Sequence, residues 1–375
     1  MTVYERNDGD KYVTTIVELL RPMTERKISD LHLVAGVPPC YRIETDLEQQ
    51  DLPRLTPENL NYLLSDILST REWGVLEKNL ELDFSFSIPG IARYRGNIMR
   101  QRGSYAVVFR AVPYEIPQFA SLGLPNTVLD LCNLKRGLVL VTGPTGSGKS
   151  TTLAAMIDTI NRSRQLNIVT VEDPIEYLHR HRKSTVRQRE IGADTHSFSN
   201  ALRHVLRHDP DVILIGEMRD LESISIALTA AETGHLVFST LHTQTAPLTI
   251  NRIIDVFGES ERKQIRQQLA ATIQGVISQQ LMAKMGGGRV VAVEVMKGIP
   301  AIRNLIREGK EHQLYSVMQT AQEYGMQTMD YALVDLFRKG KISQHTLYEQ
   351  CIDKQEIDRI LEKEGRFSPE RKGEW

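Results

Sequence analysis

Nine consecutive residues near the middle of the chain have the types and spacing of a phosphate-binding P-loop, G-x-x-x-x-G-K-S. They are Gly143, Pro144, Thr145, Gly146, Ser147, Gly148, Lys149, Ser150 and Thr151. Glycines at these positions let successive backbone N–H groups point into one concavity, to which the following helix N-terminus adds partial positive charge. In such a loop Lys149 reaches the β- and γ-phosphates, and the hydroxyl of Ser150 coordinates Mg²⁺. The chemistry indicated is the binding of a nucleoside triphosphate with Mg²⁺.

The residues on either side have the strand and helix patterns that this motif requires. The apolar run 137–141 predicts a short buried strand, and the run 152–157 consists mostly of good helix formers. A chance occurrence of the same letters in an irregular loop would lack this strand–loop–helix context. The sequence therefore predicts a nucleotide-binding domain built around the loop.

A carboxylate follows the apolar run 211–216, which reads as a second buried strand ending in Glu217. Gly216 stands where such strands more often carry a magnesium-binding aspartate. Ligands of open α/β sheets bind at the carboxyl ends of the strands, so Glu217 should face the Lys149 loop. There it could polarise the attacking water or hold Mg²⁺ through water. The alternative is a structural ion pair between Glu217 and Arg219.

Two further strand ends carry candidate residues. Glu172, Asp173 and Glu176 follow one apolar run. Three negative charges so close together repel one another unless they share a cation, and the Mg²⁺ bound to ATP would serve. The alternative for these residues is that they are solvated acids of a turn. His235 and His242 flank the strand-like run between them, and a histidine at a strand end can donate to a γ-phosphate. Structural roles for both histidines remain open.

Five arginines lie in the stretch 93–110, in a part of the chain without lysine between Lys78 and Lys135. They are Arg93, Arg95, Arg100, Arg102 and Arg110. The rigid guanidinium fork suits phosphate or carboxylate pairing. A P-loop site needs additional positive charge in the transition state, and no arginine finger is evident near the loop in sequence. The cluster could supply that charge from another domain or another subunit, or form ordinary surface ion pairs.

The order of strand and helix patterns predicts an α/β fold class with two domains. Residues 1–112 read as a small α+β domain with one helix over 56–78, and residues 113–125, with three prolines, read as a linker. In residues 126–375 strands and helices alternate, which predicts a mostly parallel sheet with helices on both faces. Beyond about residue 258 the pattern is predominantly helical, interrupted by a strand-like run at 290–296.

Composition excludes several classes of protein. A chain of 375 residues, 41% hydrophobic and 25% charged, is typical of a globular protein of about two domains. The net charge of −1 and the aromatic content of 6% do not favour a nucleic-acid binder. No apolar run approaches the ~20 residues of a membrane span, no secretory signal is visible, and the three cysteines are far apart. We expect a cytoplasmic protein without an integral membrane segment.

Four sequence boxes resemble those of the PilT-type retraction motors, a branch of the secretion and pilus motor ATPases. They are GPTGSGKST (143–151), TVEDPIEY (170–177), DPDVILIGEMRDLE (209–222) and AETGHLVFSTLHT (231–243). Outside them, SDLHLVAGVPP (29–39), DFSFSIPGIARYR (83–95) and MQTMD (326–330) are also similar. The resemblance extends over nearly the whole chain.

The resemblance implies a RecA-like P-loop domain, a PAS-like N-terminal domain and a homo-hexamer that hydrolyses ATP between neighbouring subunits. The residues carried over are Glu217, Glu176 and His242, with Arg93, Arg95 and Arg110 matching the finger positions better than Arg100 or Arg102. The implied work is pulling pilin subunits from the fibre base into the inner membrane. The implied partners are an inner-membrane pilus platform protein and a paralogous retraction ATPase, at the cytoplasmic side of the pilus base.

The segment 301–308 resembles the box associated with retraction. Its apolar residues fall on one helical face, and we expect Arg303 and Arg307 to lie off that face, free for a partner. The alternative is a helix that only packs against the core. Other functions left open are a pilus-assembly or type II secretion ATPase, a DNA translocase, and a nucleotide-binding accessory that does not hydrolyse.

Overall fold

The computed structural model describes residues 2–5, 11–26, 28–43, 46–112, 115–218 and 220–362. The chain divides into two compact units, one of residues 1–115 with 176–178 and one of residues 116–175 with 179–375. The predicted domain limits at 112 and 126 stay predictions, and residues 113–114 of the predicted linker lie outside the described ranges.

Among its described residues, the N-terminal unit contains a two-stranded antiparallel sheet, three α-helices and a six-stranded antiparallel sheet of order β5-β4-β3-β8-β7-β6. Its strands are β1 (Thr2–Glu5), β2 (Lys11–Thr14), β3 (Asp30–Val34), β4 (Cys40–Ile43), β5 (Asp46–Gln49), β6 (Glu81–Ile88), β7 (Ala92–Gln101) and β8 (Ser104–Val112). Its helices are α1 (Ile16–Glu25), α2 (Pro57–Ser65) and α3 (Thr70–Asn79).

The single helix predicted over 56–78 is wrong, because the structure has two. The helix α2 ends at Ser65, and Ser69 begins α3 with a capping box in which its side chain and that of Glu72 each bond the other's backbone N–H. Such a box satisfies two N–H groups that a helix start otherwise leaves unpaired. The S-x-x-E spacing of Ser69 and Glu72 is the sequence signal for this second helix start.

The second unit contains a seven-stranded sheet and eleven α-helices among its described residues. Its strands are β9 (Gly137–Thr142), β10 (Asn167–Glu172), β11 (Thr185–Glu190), β12 (Val212–Ile215), β13 (Leu236–Leu241), β14 (Ile273–Ala283) and β15 (Arg289–Lys297). Its helices are α4 (Asn126–Leu131), α5 (Lys149–Ser163), α6 (Phe198–Val205), α7 (Leu221–Glu232), α8 (Ala246–Asp255), α9 (Glu259–Thr272), α10 (Pro300–Glu308), α11 (Leu314–Thr320), α12 (Met329–Arg338), α13 (Gln344–Gln350) and α14 (Lys354–Glu362).

The sheet of this unit has the order β11-β10-β12-β13-β9-β14-β15 and is parallel except for β15. Alternate residues of the central strands enter two separate cores. Leu138 and Leu140 pack with residues of α6 to α10, whereas Val139 and Val141 pack with residues of α4 and α5. Helices therefore cover both faces, and the predicted α/β fold class with a mostly parallel sheet is confirmed.

The predominantly helical region predicted beyond residue 258 is corrected at one place. The segment Ile273–Ala283 is a full strand, β14, that lies between β9 and β15. The helices α12 to α14 form a further small core with Met282 and Ala292 of this strand pair. The longest helix among the described residues, α5, has 15 residues, and none of those helices is long and apolar enough to cross a membrane.

Candidate nucleotide-binding and hydrolysis site

The predicted P-loop connects the end of β9 to the start of α5, as the motif requires. Gly143, Gly146 and Gly148 have positive φ angles of 139°, 80° and 92°, a backbone region that side chains other than glycine rarely adopt. Gly148 is the N-cap of α5 and has no side chain to satisfy the first N–H groups of the helix. These N–H groups and the helix dipole make the loop a site for an anion.

The loop is packed tightly against β14. A Cβ atom on Gly143 would lie 2.3 Å from the carbonyl oxygen of Gln279 and 2.6 Å from Oγ of Ser147. Nε2 of Gln279 donates to Oγ1 of Thr152 at 2.8 Å, which ties the same strand to the first turn of α5. The cradle is therefore held from β14 as well as from β9, and no residue larger than glycine fits at position 143.

Two side chains of the loop are suited to a phosphate group. Nζ of Lys149 is buried and donates to the carbonyl oxygens of Gly143 at 2.8 Å and of Pro144 at 3.0 Å. A phosphate oxygen in the concavity would offer the ammonium a charged acceptor in place of these neutral ones. Oγ of Ser147 is buried without a hydrogen-bond partner in the described part of the chain. The donor set and the backbone cradle thus fit a bound phosphate.

The predicted strand end at Glu217 lies at the same edge of the sheet. The parallel order β12-β13-β9 places the carboxyl ends of these three strands side by side, with the P-loop following β9. A Cβ on Gly216 would lie 3.2 Å from Cα of Glu172 and 3.3 Å from the carbonyl oxygen of Val171. A side chain at position 216 would therefore crowd the backbone of β10, which favours glycine there.

Glu217 contacts His242, which follows the neighbouring strand β13. Nε2 of His242 lies 3.1 Å from Oε1 of Glu217, and their side chains are 47% and 19% exposed. Oγ1 of Thr240 donates to the carbonyl oxygen of Gly216 at 2.5 Å. The N–H of Met218 donates to the carbonyl oxygen of Thr240 at 3.3 Å. These bonds hold the two strand ends together. Arg219, the alternative partner of Glu217, lies outside the described residues.

The other candidate histidine has a structural role. Nδ1 of His235 lies 2.9 Å from the carbonyl oxygen of Ala230 and 3.3 Å from Oγ1 of Thr233. It therefore joins the end of α7 to the start of β13, which is the opposite end of the strand from His242. Of the two histidines, only His242 is at the nucleotide edge.

The acidic residues after β10 have separate environments. Oε1 of Glu172 accepts hydrogen bonds from Oγ1 of Thr170 at 2.6 Å and Nε2 of Gln188 at 3.1 Å. The buried Glu190 accepts the N–H of Ile175 at 3.0 Å, which fixes the loop that carries Asp173 and Glu176. Asp173 and Glu176 are exposed. Glu172 is thus engaged within the sheet, and the catalytic role of Glu176 stays a prediction.

The predicted arginines differ in their partners within the N-terminal unit. The strand register aligns Asp30, Arg110, Arg95 and Ser85 in one row across β3, β8, β7 and β6. Nε and Nη2 of Arg110 both lie 2.8 Å from Oδ1 of the buried Asp30. Arg93 donates to Ser85 and Ser87. Arg95 is half-buried and has no ion pair or hydrogen bond from its side chain within the described ranges.

The expectation that Arg303 lies free on α10 is wrong. Nη2 of Arg303 donates to the carbonyl oxygen of Ile273 and to Oε1 of Gln274, both at 3.0 Å, so it fastens α10 to the start of β14. Burial also lowers the pKa of its guanidinium group. Arg307 is exposed, and its guanidinium donates a 3.4 Å hydrogen bond to Oδ1 of Asn304 on the same helix. Only Arg307 is available on the surface.

Several residues that hold the site were missed by sequence reasoning. Gln279 closes the P-loop from β14, Thr240 joins the strand ends of Glu217 and His242, and Glu190 fixes the loop before Glu176. Each acts through a backbone atom or hydroxyl far away in sequence. No spacing or local pattern signals such contacts.

Comparison with known proteins gives consistent results. The family model described as type II/IV secretion system protein matches residues 106–287. The type IV pilus retraction ATPase PilT of Pseudomonas aeruginosa is 50% identical over 336 residues, which cover 90% of this chain and 98% of that protein. The twitching motility protein of Neisseria gonorrhoeae is 46% identical over 330 residues, which cover 88% of each.

A solved structure extends this similarity to the fold. The crystal structure of the pilus retraction motor PilT with bound ADP matches with a TM-score of 0.87 at 50% identity, and the match covers 92% of this chain and 100% of that chain. The match therefore extends over both compact units of this chain.

Proposed function

We propose that this chain, which belongs to the PilT family of type IV pilus retraction ATPases, hydrolyses ATP to power retraction of a type IV pilus. The observation that carries the proposal is the meeting of three elements at one sheet edge. They are the P-loop after β9, Glu217 after β12 and His242 after β13. Glu217 and His242 would be redundant in a module that only binds nucleotide.

The roles of the residues follow from their positions. Lys149 and the N–H groups at the start of α5 bind the β- and γ-phosphates, and Ser150 with Glu217 would hold Mg²⁺. Bound Mg²⁺ neutralises charge on the β- and γ-phosphate oxygens. Glu217 orients the attacking water, and His242 donates a hydrogen bond to the γ-phosphate while it keeps Glu217 in place. Glu176 is proposed as a second acid of the same site.

The assembly we propose is a homo-hexamer in which arginines of one copy complete the site of the next. The support within the chain is Arg95, a half-buried cation without a counter-charge among the described residues. In the sheet it lies directly opposite Arg110, whose charge is neutralised by Asp30. Arg110 is the weaker candidate because Asp30 already pairs with it. Arg93 remains a candidate through its position beside Arg95 on the same face of β7.

The proposed partners are an inner-membrane pilus platform protein and a paralogous retraction ATPase. We place the motor at the cytoplasmic face of the pilus base, and we propose no nucleic-acid partner. The support for this placement is the similarity to retraction ATPases over nine tenths of the chain. A pilus-assembly or type II secretion ATPase is the second candidate, because the matched family model also includes secretion proteins.

The test is pilus retraction in cells that lack this chain, observed with fluorescently labelled pili. A wild-type copy should restore retraction, and Lys149→Ala and Glu217→Gln copies should not. Lys263→Ala, a change on the exposed face of α9, is the matched control and should restore it. Retraction by the Lys149→Ala copy would contradict the proposal. Loss of pilus assembly instead of retraction would favour the assembly ATPase.

A further inference from the structure

The helix α8 begins four residues after His242, and a buried carboxylate from β15 holds its start. Oε1 of Glu294 accepts the N–H of Ala246, the first residue of α8, at 2.6 Å. Glu294 is fully buried. The first N–H groups of a helix have no partner inside the helix and carry partial positive charge, so an anionic acceptor there is strongly favoured. The segment 242–245 thus connects the end of β13 to the first residue of α8, whose position is fixed by Glu294.

A series of hydroxyl groups fixes the same segment from its other side. Oγ1 of Thr249 on α8 lies 2.7 Å from Oγ1 of Thr243 and donates to the carbonyl oxygen of Thr245 at 2.8 Å. It also lies 3.5 Å from Oγ1 of Thr142, the residue before Gly143 of the P-loop. Thr249 therefore holds Thr243, the residue after His242, but only approaches Thr142, because its one hydroxyl proton is donated to Thr245.

The second oxygen of Glu294 serves another helix. Oε2 accepts the N–H of Met329, the first residue of α12, at 3.3 Å. Asp330, the next residue of α12, accepts the N–H groups of Ile352 and Asp353 between α13 and α14. One side chain thus contacts the start of the helix beside His242 and the start of the C-terminal helices.

We propose that Glu294 is a positioning residue for His242, and that it couples the helices α12 to α14 to the geometry of the nucleotide site. The inference rests on the proposed ATP hydrolysis. A displacement of α12 moves one oxygen of the carboxylate and hence the start of α8, which changes the distance between His242 and Glu217 while the P-loop stays in place. A partner that binds the C-terminal helices would then alter turnover rather than nucleotide affinity.

The test uses the full chain with Glu294→Gln at ~pH 8. Burial raises the pKa of Glu294 to about 7, so this pH is high enough for the wild-type carboxylate to be ionised. The glutamine side chain has nearly the same shape as glutamate, but it has only one acceptor oxygen. Either the N–H of Ala246 or that of Met329 would therefore face an NH₂ group instead of an acceptor. We expect kcat for ATP to fall at least about fivefold, with the Kd of a fluorescent ADP analogue within about twofold of wild type. Amide hydrogen exchange should accelerate at residues 242–250 and not at residues 143–151.

The matched control is Glu311→Gln, which changes another buried carboxylate, bonded to Arg266 on α9, and should leave kcat within about twofold. Unchanged kcat in Glu294→Gln would overturn the proposal, as would a parallel loss of ADP affinity or equal acceleration of exchange at the P-loop. Should Glu294→Gln fail to fold, Thr249→Val decides, because it should lower kcat while Thr249→Ser restores it. A wild-type chain that hydrolyses no ATP would remove the proposed function, and the exchange comparison would still decide the positioning claim.

Discussion

Nε2 of His242 lies 3.1 Å from Oε1 of Glu217, so a side-chain contact joins the ends of β13 and β12 at the sheet edge that carries the P-loop. Each residue follows its own strand, and the strands are neighbours in the sheet. The contact gives Glu217 a defined orientation before any nucleotide arrives. In the mechanism proposed above, this position lets His242 contact both Glu217 and a γ-phosphate held by the P-loop.

Replacing His242 with Ala should lower kcat at least about tenfold, a loss of roughly 1.4 kcal/mol of transition-state stabilisation. The phosphate cradle does not include His242, so the affinity for ADP should stay within about twofold. Steady-state phosphate release and titration with a fluorescent ADP analogue check the two quantities. A variant that loses ADP affinity while keeping kcat would show that the histidine binds nucleotide and does not support Glu217.

Arg110→Ala should lower the stability of the protein, whereas Arg95→Ala should lower its ATPase activity. Removing Arg110 leaves the buried Asp30 without its cation, which should lower the free energy of unfolding by roughly 1–2 kcal/mol. The loss is no larger because the arginine side chain is 66% exposed, so solvent weakens the ion pair. Arg95→Ala removes no such contact and should shift the melting temperature by less than about 2 °C, but it should reduce ATPase activity of the assembled protein. Scanning calorimetry and phosphate release separate the two. Normal activity in Arg95→Ala would remove it from the finger candidates.

Arg303→Ala should destabilise the protein by roughly 1–3 kcal/mol, because it leaves the carbonyl oxygen of Ile273 and the amide of Gln274 without their donor. Arg307→Ala on the exposed face of α10 should shift the melting temperature by less than about 2 °C. If the segment couples to the pilus machinery, the Arg307 variant alone should lose retraction with its ATPase activity intact. Equal melting temperatures for the two variants would contradict the structural role of Arg303.

Glu294 should make stability fall as pH rises. Burial raises its pKa to about 7, above the ordinary value of 4.5, with Asp330 nearby adding in the same direction. Both states hold the proton below ~pH 4.5, and between ~pH 4.5 and ~pH 7 the unfolded chain releases it first, which favours unfolding. The free energy of unfolding of wild type relative to Glu294→Gln should therefore drop by about 2–3 kcal/mol from ~pH 5 to ~pH 8. Urea denaturation at both pH values measures it, and a constant difference would contradict the raised pKa.

The phosphate loop and the strand ends were predictable because local pattern determines them. The strand expected over 137–141 and the helix expected over 152–157 lie within β9 and α5, since the motif itself requires that context. The strand-end patterns suggested roles for Glu217 and His242, and the family resemblance favoured these roles over the structural alternatives. Their mutual contact depends on the strand order, which a parallel α/β pattern limits but does not determine.

Two strands of the seven-stranded sheet escaped prediction for physical reasons. The strand β14 follows α9 without an intervening glycine or proline, and it carries the polar residues Ser278 and Gln279 because they bond to Thr142 and Thr152 around the P-loop. The strand β11 lies at the edge of the sheet, where exposed polar side chains are tolerated and the apolar signal is weak. Buried contacts such as those of Glu294 and Arg303 join residues distant in sequence and leave no local signal.

The central claim is that this chain turns over ATP at the edge formed by Lys149, Glu217 and His242. The most direct measurement is phosphate release by the purified wild-type, Lys149→Ala and Glu217→Gln proteins, with ATP binding titrated in parallel. We predict turnover by wild type, loss of binding in Lys149→Ala, and retained binding with at least about tenfold slower release in Glu217→Gln. Release by Glu217→Gln at the wild-type rate, or by Lys149→Ala at any comparable rate, would contradict the account.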